Sequence, residues 1–183
     1  MNFSTFKNYS MKLTLTALAA AFSLVLTARA AESTVKLSDV HLCCQSCVKG
    51  VQSAISKVDG ATATCDKDAG TVTVTGPNKG TVQKATDALV KAGYFGKSSE
   101  SNIKVSAKTG AKGKKTESMK VEGVHLCCGK CVTAVDTALK TVPGVKNHTA
   151  VKNAESFDVT GDFNDKEVFT ALQKAGLTGH VAK

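Results

Sequence analysis

The sequence predicts an α+β chain of two ferredoxin-like βαββαβ modules joined by a flexible linker. Two observations carry that expectation. The block VHLCCQSCVKGVQSAISKVDG at residues 40–60 aligns without a gap on VHLCCGKCVTAVDTALKTVPG at residues 124–144, and ALVKAGYFGK at 88–97 aligns on ALQKAGLTGH at 171–180. Both blocks recur in the same order at nearly the same separation, so the chain is a duplication. Within each copy the apolar period also switches between two and three-to-four, the marks of strand and helix.

Taking the elements in order, Val35 and Leu37, or Met119 and Val121, alternate with polar residues as in a half-buried strand. After the cysteines, Val48, Val51, Ile55 and Val58 recur at helical steps, as do Val132, Val135, Leu139 and Val142 in the second copy. Asp59-Gly60 and Pro143-Gly144 stop these helices, because Gly accepts the left-handed conformation and Pro cannot continue the hydrogen-bond ladder. Two short strands follow, near residues 61–65 and 71–75, and near 145–151 and 156–160; Thr-Val-Thr-Val-Thr has the β-branched alternation of a pleated strand. A second helix fits residues 81–92 and 166–175, closed each time by Ala-Gly, and a short strand ends the unit.

Ahead of the repeats, residues 1–30 contain no acid, place Lys7 and Lys12 before the apolar run Leu13 to Thr27, and end in Ala28-Arg29-Ala30. This reads as a secretory signal peptide, with cleavage before Ala31 and no membrane span afterwards. The run is shorter than the ~20 residues that cross a bilayer. The predicted organisation is therefore a signal peptide at 1–30, module 1 at 31–100, a linker at 101–118 and module 2 at 119–183, in a periplasmic or secreted protein. The linker segment SNIKVSAKTGAKGKKTES is rich in Lys, Ser, Gly and Thr and reads as a tether.

Removing Lys7, Lys12 and Arg29 takes the formal net charge from +9 to +6, much of it in the linker lysines Lys104, Lys108, Lys112, Lys114 and Lys115. A nucleic-acid surface needs basic residues interleaved with stacking aromatics; with no Trp and 5% aromatic residues, none is expected. The sequence offers no nucleophile–base–orienter set, carboxylate pair or phosphate loop, so no enzymatic activity is expected.

Six of the seven cysteines fall in two tight groups, Cys43, Cys44 and Cys47, and Cys127, Cys128 and Cys131. A disulfide framework would spread them along the chain. A C-x-x-C pair at a helix start places both sulfurs beside unpaired N–H groups that favour thiolate, the metal-binding form. Soft thiolates select Cu(I), with zinc as a competitor. Three sulfurs suit a three-coordinate Cu(I) ion; adding His41 or His125 would complete a tetrahedral zinc set. His148 and His180 do not recur and read as surface residues, while Cys65 reads as a small apolar strand filler.

The chain resembles the heavy-metal-associated domain family: copper chaperones, copper-pump N-terminal modules and the periplasmic mercury-binding protein. The resemblance rests on Val121-Glu122-Gly123-Val124-His125 leading to Cys128-Gly129-Lys130-Cys131, on Pro143-Gly144-Val145 after the helix and on Ala92-Gly93-Tyr94 after the second helix. It implies metal ligands at Cys44 and Cys47, and at Cys128 and Cys131, with mercury joining copper and zinc among the ions, and a metal-donor or acceptor protein as partner. The family's Tyr beside the metal loop corresponds to Tyr94, but to Leu177 in copy two. The family's Met anchor corresponds to Val40 and Val124, or to Leu42 and Leu126 if the cysteines are matched, and the loop gains Cys43 and Cys127.

Two other functions remain open on the sequence. Cys44 with Cys47, and Cys128 with Cys131, could exchange disulfides, with the third cysteine as a resolving thiol. The chain could also be an interaction module that no longer binds metal, with the clusters as staples, although a vicinal Cys43–Cys44 bridge is strained.

Overall fold

The protein is described from a computed structural model over residues 32–183. The signal peptide expected at 1–30 lies outside these described residues. Module 1 runs β1 (Ser33–Ser38), α1 (Gln45–Ile55), β2 (Thr62–Asp66), β3 (Thr71–Gly76), α2 (Lys79–Lys91) and β4 (Lys97–Ser98). Module 2 repeats it as β5 (Lys115–Glu122), α3 (Gly129–Leu139), β6 (Val145–His148), β7 (Ser156–Asn164), α4 (Asp165–Lys174) and β8 (His180–Val181). Each forms a four-stranded antiparallel sheet, ordered β2-β3-β1-β4 and β6-β7-β5-β8. These are the two α+β modules the sequence predicts.

Alternation decides which face of each sheet is covered. Val35 and Leu37 on β1 sit opposite Val74 and Val72 on β3, and all four are buried. In module 2, Met119 and Val121 oppose Val159 and Phe157 in the same way. Helix α1 lays Cys47, Val48, Val51, Ala54 and Ile55 against that face, and α3 lays Cys131, Val135, Ala138 and Leu139. Each fully buried aliphatic side chain contributes about 1.5–3 kcal/mol. Val58 and Val142, expected on these helices, lie beyond them, because α1 and α3 close at Ser56 and Lys140, before Asp59-Gly60 and Pro143-Gly144. The second helices begin at side-chain caps: Asn78 accepts from Thr81 N and Asn164 from Lys166 N.

The segment at 101–118 does not run free of the modules. Ile103 is buried, Gln83 grips the backbone of Lys104 through two 2.8 Å hydrogen bonds, and Val181 N donates to Thr109 O. Further on, the N–H groups of Lys112, Gly113 and Lys114 donate to the Asp165 carboxylate at 2.7–2.9 Å, and β5 has begun by Lys115. The Lys, Gly and Ser content that suggested a tether describes the outward side chains; the backbone is bound to module 1 at Gln83 and to module 2 at Asp165.

The modules also bind each other. Tyr94 and Leu177, equivalent residues after the second helices, pair antiparallel across the junction, and both are fully buried. Phe95 N donates to Gly176 O and Thr178 N to Gly93 O, each at 3.0 Å, with His41 N adding a 3.2 Å bond to Gly176 O. The two apolar cores are continuous through this contact.

Candidate metal centre

Both cysteine groups form at the junction, and the backbone explains how. Val40 and Leu42 are buried, as are Val124 and Leu126, so the intervening His41 and Cys43, or His125 and Cys127, face the opposite way. Both residue types in line for the missing Met anchor therefore serve as apolar anchors. Cys44 then takes the N-cap position of α1 with φ −158° and ψ 169°, and Cys128 that of α3 with φ −153° and ψ 170°. Neither side chain caps its helix. Cys44 O and Cys128 O instead accept from Cys47 N and Cys131 N, and the two sulfurs turn toward the other cysteines. Cys47 and Cys131 occupy the first helical turn with their residues fully buried.

The sequence repeats the cysteine group once in each module. The structure brings all six sulfurs into one. Cys43 Sγ lies 3.4 Å from Cys128 Sγ and 3.5 Å from Cys131 Sγ; Cys127 Sγ lies 3.5 Å from both Cys44 and Cys47; Cys47 and Cys131 are 3.8 Å apart. Within a module the separations are of the same size: 3.6 Å for Cys43–Cys47 and Cys44–Cys47, 3.8 Å for Cys127–Cys131 and Cys128–Cys131. All seven cysteines, Cys65 included, are free thiols.

Thiols this close share protons, and Cys43, Cys47, Cys127, Cys128 and Cys131 titrate together. Cys47 is driven down to about 2, chiefly by the Cys131 thiol donating to it, with Cys127 and Cys43 acting the same way against burial. Cys128 comes down to about 6: burial, the largest single effect, acts upward, but the Cys131 N–H and the Cys43 thiol outweigh it. Cys43 is pushed up to about 12 by burial and then by Cys128. Burial, Cys44 and Cys47 hold Cys127 protonated, and Cys47 followed by burial does so for Cys131. Without cations among them, Cys43, Cys127 and Cys131 stay protonated beside the Cys47 thiolate.

Both imidazoles belong to the site. The Nε2 atoms of His41 and His125 are buried and have no hydrogen-bond partner among the described residues. One imidazole nitrogen of His41 lies within 4.8 Å of the sulfurs of Cys43 and Cys131. Burial lowers the His41 pKa, Cys47 opposes and His125 reinforces the shift. A neutral imidazole with an orphaned buried nitrogen has either a ligand or a thiolate to satisfy.

The junction is unequal around these rings. Tyr94 stacks on His125 at a centroid distance of 4.6 Å and donates its hydroxyl to Cys47 O at 2.9 Å. Burial, then the nearby Cys47 thiolate, raises the Tyr94 pKa, so it stays a neutral donor. It fits because residue 50 is Gly: a Cβ there would collide with the Tyr94 hydroxyl and approach His125 Cε1 to 3.0 Å. At the equivalent positions module 2 carries the opposite exchange of volume, Ala134 with Leu177.

Backbone proximity does the rest. A Cβ on Gly93 would come within 2.5 Å of His125 N, and one on Gly176 within 2.5 Å of both His41 N and Asp39 O. These glycines, with φ of +89° and +76°, let the modules approach. The sequence marked them only as helix stops; their recurrence as Ala-Gly beside Tyr94 and Leu177 was the available signal. Two open surface hollows reach the cluster, one lined by Lys91, His125 and Cys127, the other by Lys174, His41 and Cys43.

Other sequence expectations fall outside the site. Cys65 is half-buried on β2, its pKa raised by burial. His180 is exposed, 3.6 Å from Glu122 Oε2. His148 is not the surface residue expected: its ring is tucked between Asp136, 3.3 Å from Nε2, and Ala150 N, which donates to Nδ1.

The donors converging here are sulfur and imidazole with no carboxylate in the groups, a set that fits a soft metal ion. No helix among the described residues is long and apolar enough to cross a membrane. No family model matches the sequence, and no curated protein matches it. Among solved structures the chain is similar to the N-terminal soluble domains of Bacillus subtilis CopA, with 15% identity and a TM-score of 0.31 over 84% of this chain and 95% of that one. It is also similar to the first two RRM domains of the yeast poly(U) binding protein Pub1, with 11% identity and a TM-score of 0.25 over 82% and 98%. At such TM-scores neither likeness bears on function.

Proposed function

We propose that this is an exported, non-catalytic binder of soft metal ions, Cu(I) above all, which holds its cargo in a single centre built by both modules and exchanges it with a donor or acceptor protein. The observation that carries the reading is the convergence of six sulfurs from two modules at 3.4–3.8 Å, with two buried imidazole nitrogens beside them. A metal–thiolate bond of about 2.3 Å sets sulfurs about 4 Å apart around a trigonal ion, so cargo enters with little rearrangement. Thiols at the ends of two hollows give an incoming ligand access to Cys43 and Cys127, the condition for transfer by ligand exchange. Periplasmic or extracellular location rests on the signal-like residues 1–30.

The test is elemental analysis of the mature protein purified reduced and without oxygen, beside a thiol count on protein taken directly from its compartment. Copper bound to wild type and lost in the Cys44→Ser, Cys47→Ser double variant supports the proposal. Stoichiometric disulfides with no metal uptake overturn it in favour of thiol–disulfide exchange. Full thiols and no uptake of any soft ion leave an interaction module. Fractionation of cells checks the compartment separately.

A further inference from the structure

We infer that the loaded centre is a tetranuclear Cu(I)–thiolate cluster, four ions capping alternate faces of an octahedron of six bridging cysteine sulfurs. The inference rests on the soft-metal reading above and specifies what that site holds.

The pattern of close sulfur pairs carries it. Besides the nine pairs at 3.4–3.8 Å, the pairs Cys43–Cys44, Cys44–Cys128 and Cys127–Cys128 lie within 4.8 Å. Each sulfur thus has four neighbours within 4.8 Å, and the three pairs left without such a contact, Cys43–Cys127, Cys44–Cys131 and Cys47–Cys128, take the opposite corners. That is the connectivity of an octahedron. Its alternate faces share corners but no edges. One such set is Cys43–Cys44–Cys128, Cys44–Cys47–Cys127 and Cys127–Cys128–Cys131, each with its ligand atoms mutually within 4.8 Å, completed by Cys43–Cys47–Cys131 with edges of 3.6, 3.5 and 3.8 Å. Every sulfur then belongs to two faces. A thiolate has the lone pairs to bridge two ions, and Cu(I), a d10 ion with no demand for a fourth ligand, accepts three sulfurs in a plane.

The chemistry balances without redox change. Six thiols lose six protons as four Cu(I) ions enter, leaving a core of charge −2. A core of that charge also gives the two imidazoles a partner: a buried Nε2–H of His41 or His125 can donate to a bridging sulfur, and these are the nitrogens left unpaired among the described residues. Tetrahedral zinc is a poorer match for the whole set: His41, beside Cys43 and Cys131, could give one face a fourth donor, but a face without an imidazole supplies three donors where zinc needs four. One ion per C-x-x-C pair would leave Cys43 and Cys127 unused at the two opposite corners.

The experiment is an anaerobic titration of the reduced full-length mature chain with Cu(I) against a competing Cu(I) chelator, read by native mass spectrometry, with X-ray absorption on the saturated sample. Four copper ions per chain, populated with few intermediate species, three-coordinate sulfur surroundings and a Cu···Cu scattering shell are expected. The Cys43→Ser, Cys127→Ser variant should stop at two ions and lose the Cu···Cu shell. Wild-type saturation at one or two ions without Cu···Cu scattering overturns the cluster and leaves soft-metal binding intact. Failure to compete with the chelator at any stoichiometry overturns both.

Discussion

Cys43 Sγ lies closer to Cys128 Sγ of the other module, at 3.4 Å, than to Cys47 Sγ of its own, at 3.6 Å. Metal held by one module's cysteines should therefore depend on the other's. Replacing Cys128 and Cys131 by Ser should lower the metal retained against a chelator by well over the roughly one-half that independent sites would lose, because residues sharing ligands couple non-additively. Equal halves from the two single-module variants would indicate separate sites.

Close backbone approach at Gly93 and Gly176 holds the halves of the centre together. Gly93→Ala and Gly176→Ala each add a methyl within 2.5 Å of the facing module's backbone at a positive φ. Each should cost more than the ~1 kcal/mol of an ordinary glycine replacement, because contact and conformation both oppose it. Small-angle scattering should show a larger radius of gyration, and metal affinity should fall although no cysteine is touched.

The exchange of volume between Gly50 with Tyr94 and Ala134 with Leu177 predicts a rescue. Gly50→Ala should destabilise the chain by about 1–3 kcal/mol through overpacking against Tyr94 and His125. Adding Tyr94→Leu, which reproduces the pair in module 2, should return part of that loss. Thermal unfolding of the four proteins of the double-mutant cycle measures the coupling.

Asp165 fastens the connector to module 2. Partial burial is the largest single influence on its carboxyl and acts upward, but the N–H groups of Lys112, Lys114 and Gly113 together hold its pKa below the usual carboxylate range. A depressed folded-state pKa gives stability that is present above the unfolded value and lost as pH falls through the folded one. Asp165→Asn should thus be about 1–2 kcal/mol less stable than wild type at neutral pH. The gap should close in acid, as denaturant titrations at several pH values will show.

Much of this was legible in the sequence, and what was missed shares a cause. Val35, Leu37, Val51 and Ile55 announce their elements because burial in a small module imposes a period on apolar residues. The six cysteines stand out because thiol chemistry is uncommon and the pattern is duplicated. Their meeting in one place was not legible, since docking is carried by backbone bonds at Gly93 and Gly176 and by the shape of Tyr94 against Gly50. Neither leaves a periodic trace. The anchoring of the connector was not legible for a related reason: its Lys and Gly residues report on side chains, whereas Gln83 and Asp165 hold its main chain. His148 was placed on the surface because nothing in sequence brings it to Asp136.

The bonds from Gln83 and Asp165 to the connector bear on how the centre should behave in a dilute compartment. A six-thiolate site split between two chains would assemble by collision, and its affinity would fall with protein concentration. Here both halves are delivered by one polypeptide whose intervening segment is pinned at each end, so assembly is unimolecular. Uptake should follow the same curve at nanomolar and micromolar protein, and the chain should scavenge cargo at levels where a dimerising chaperone would already have come apart.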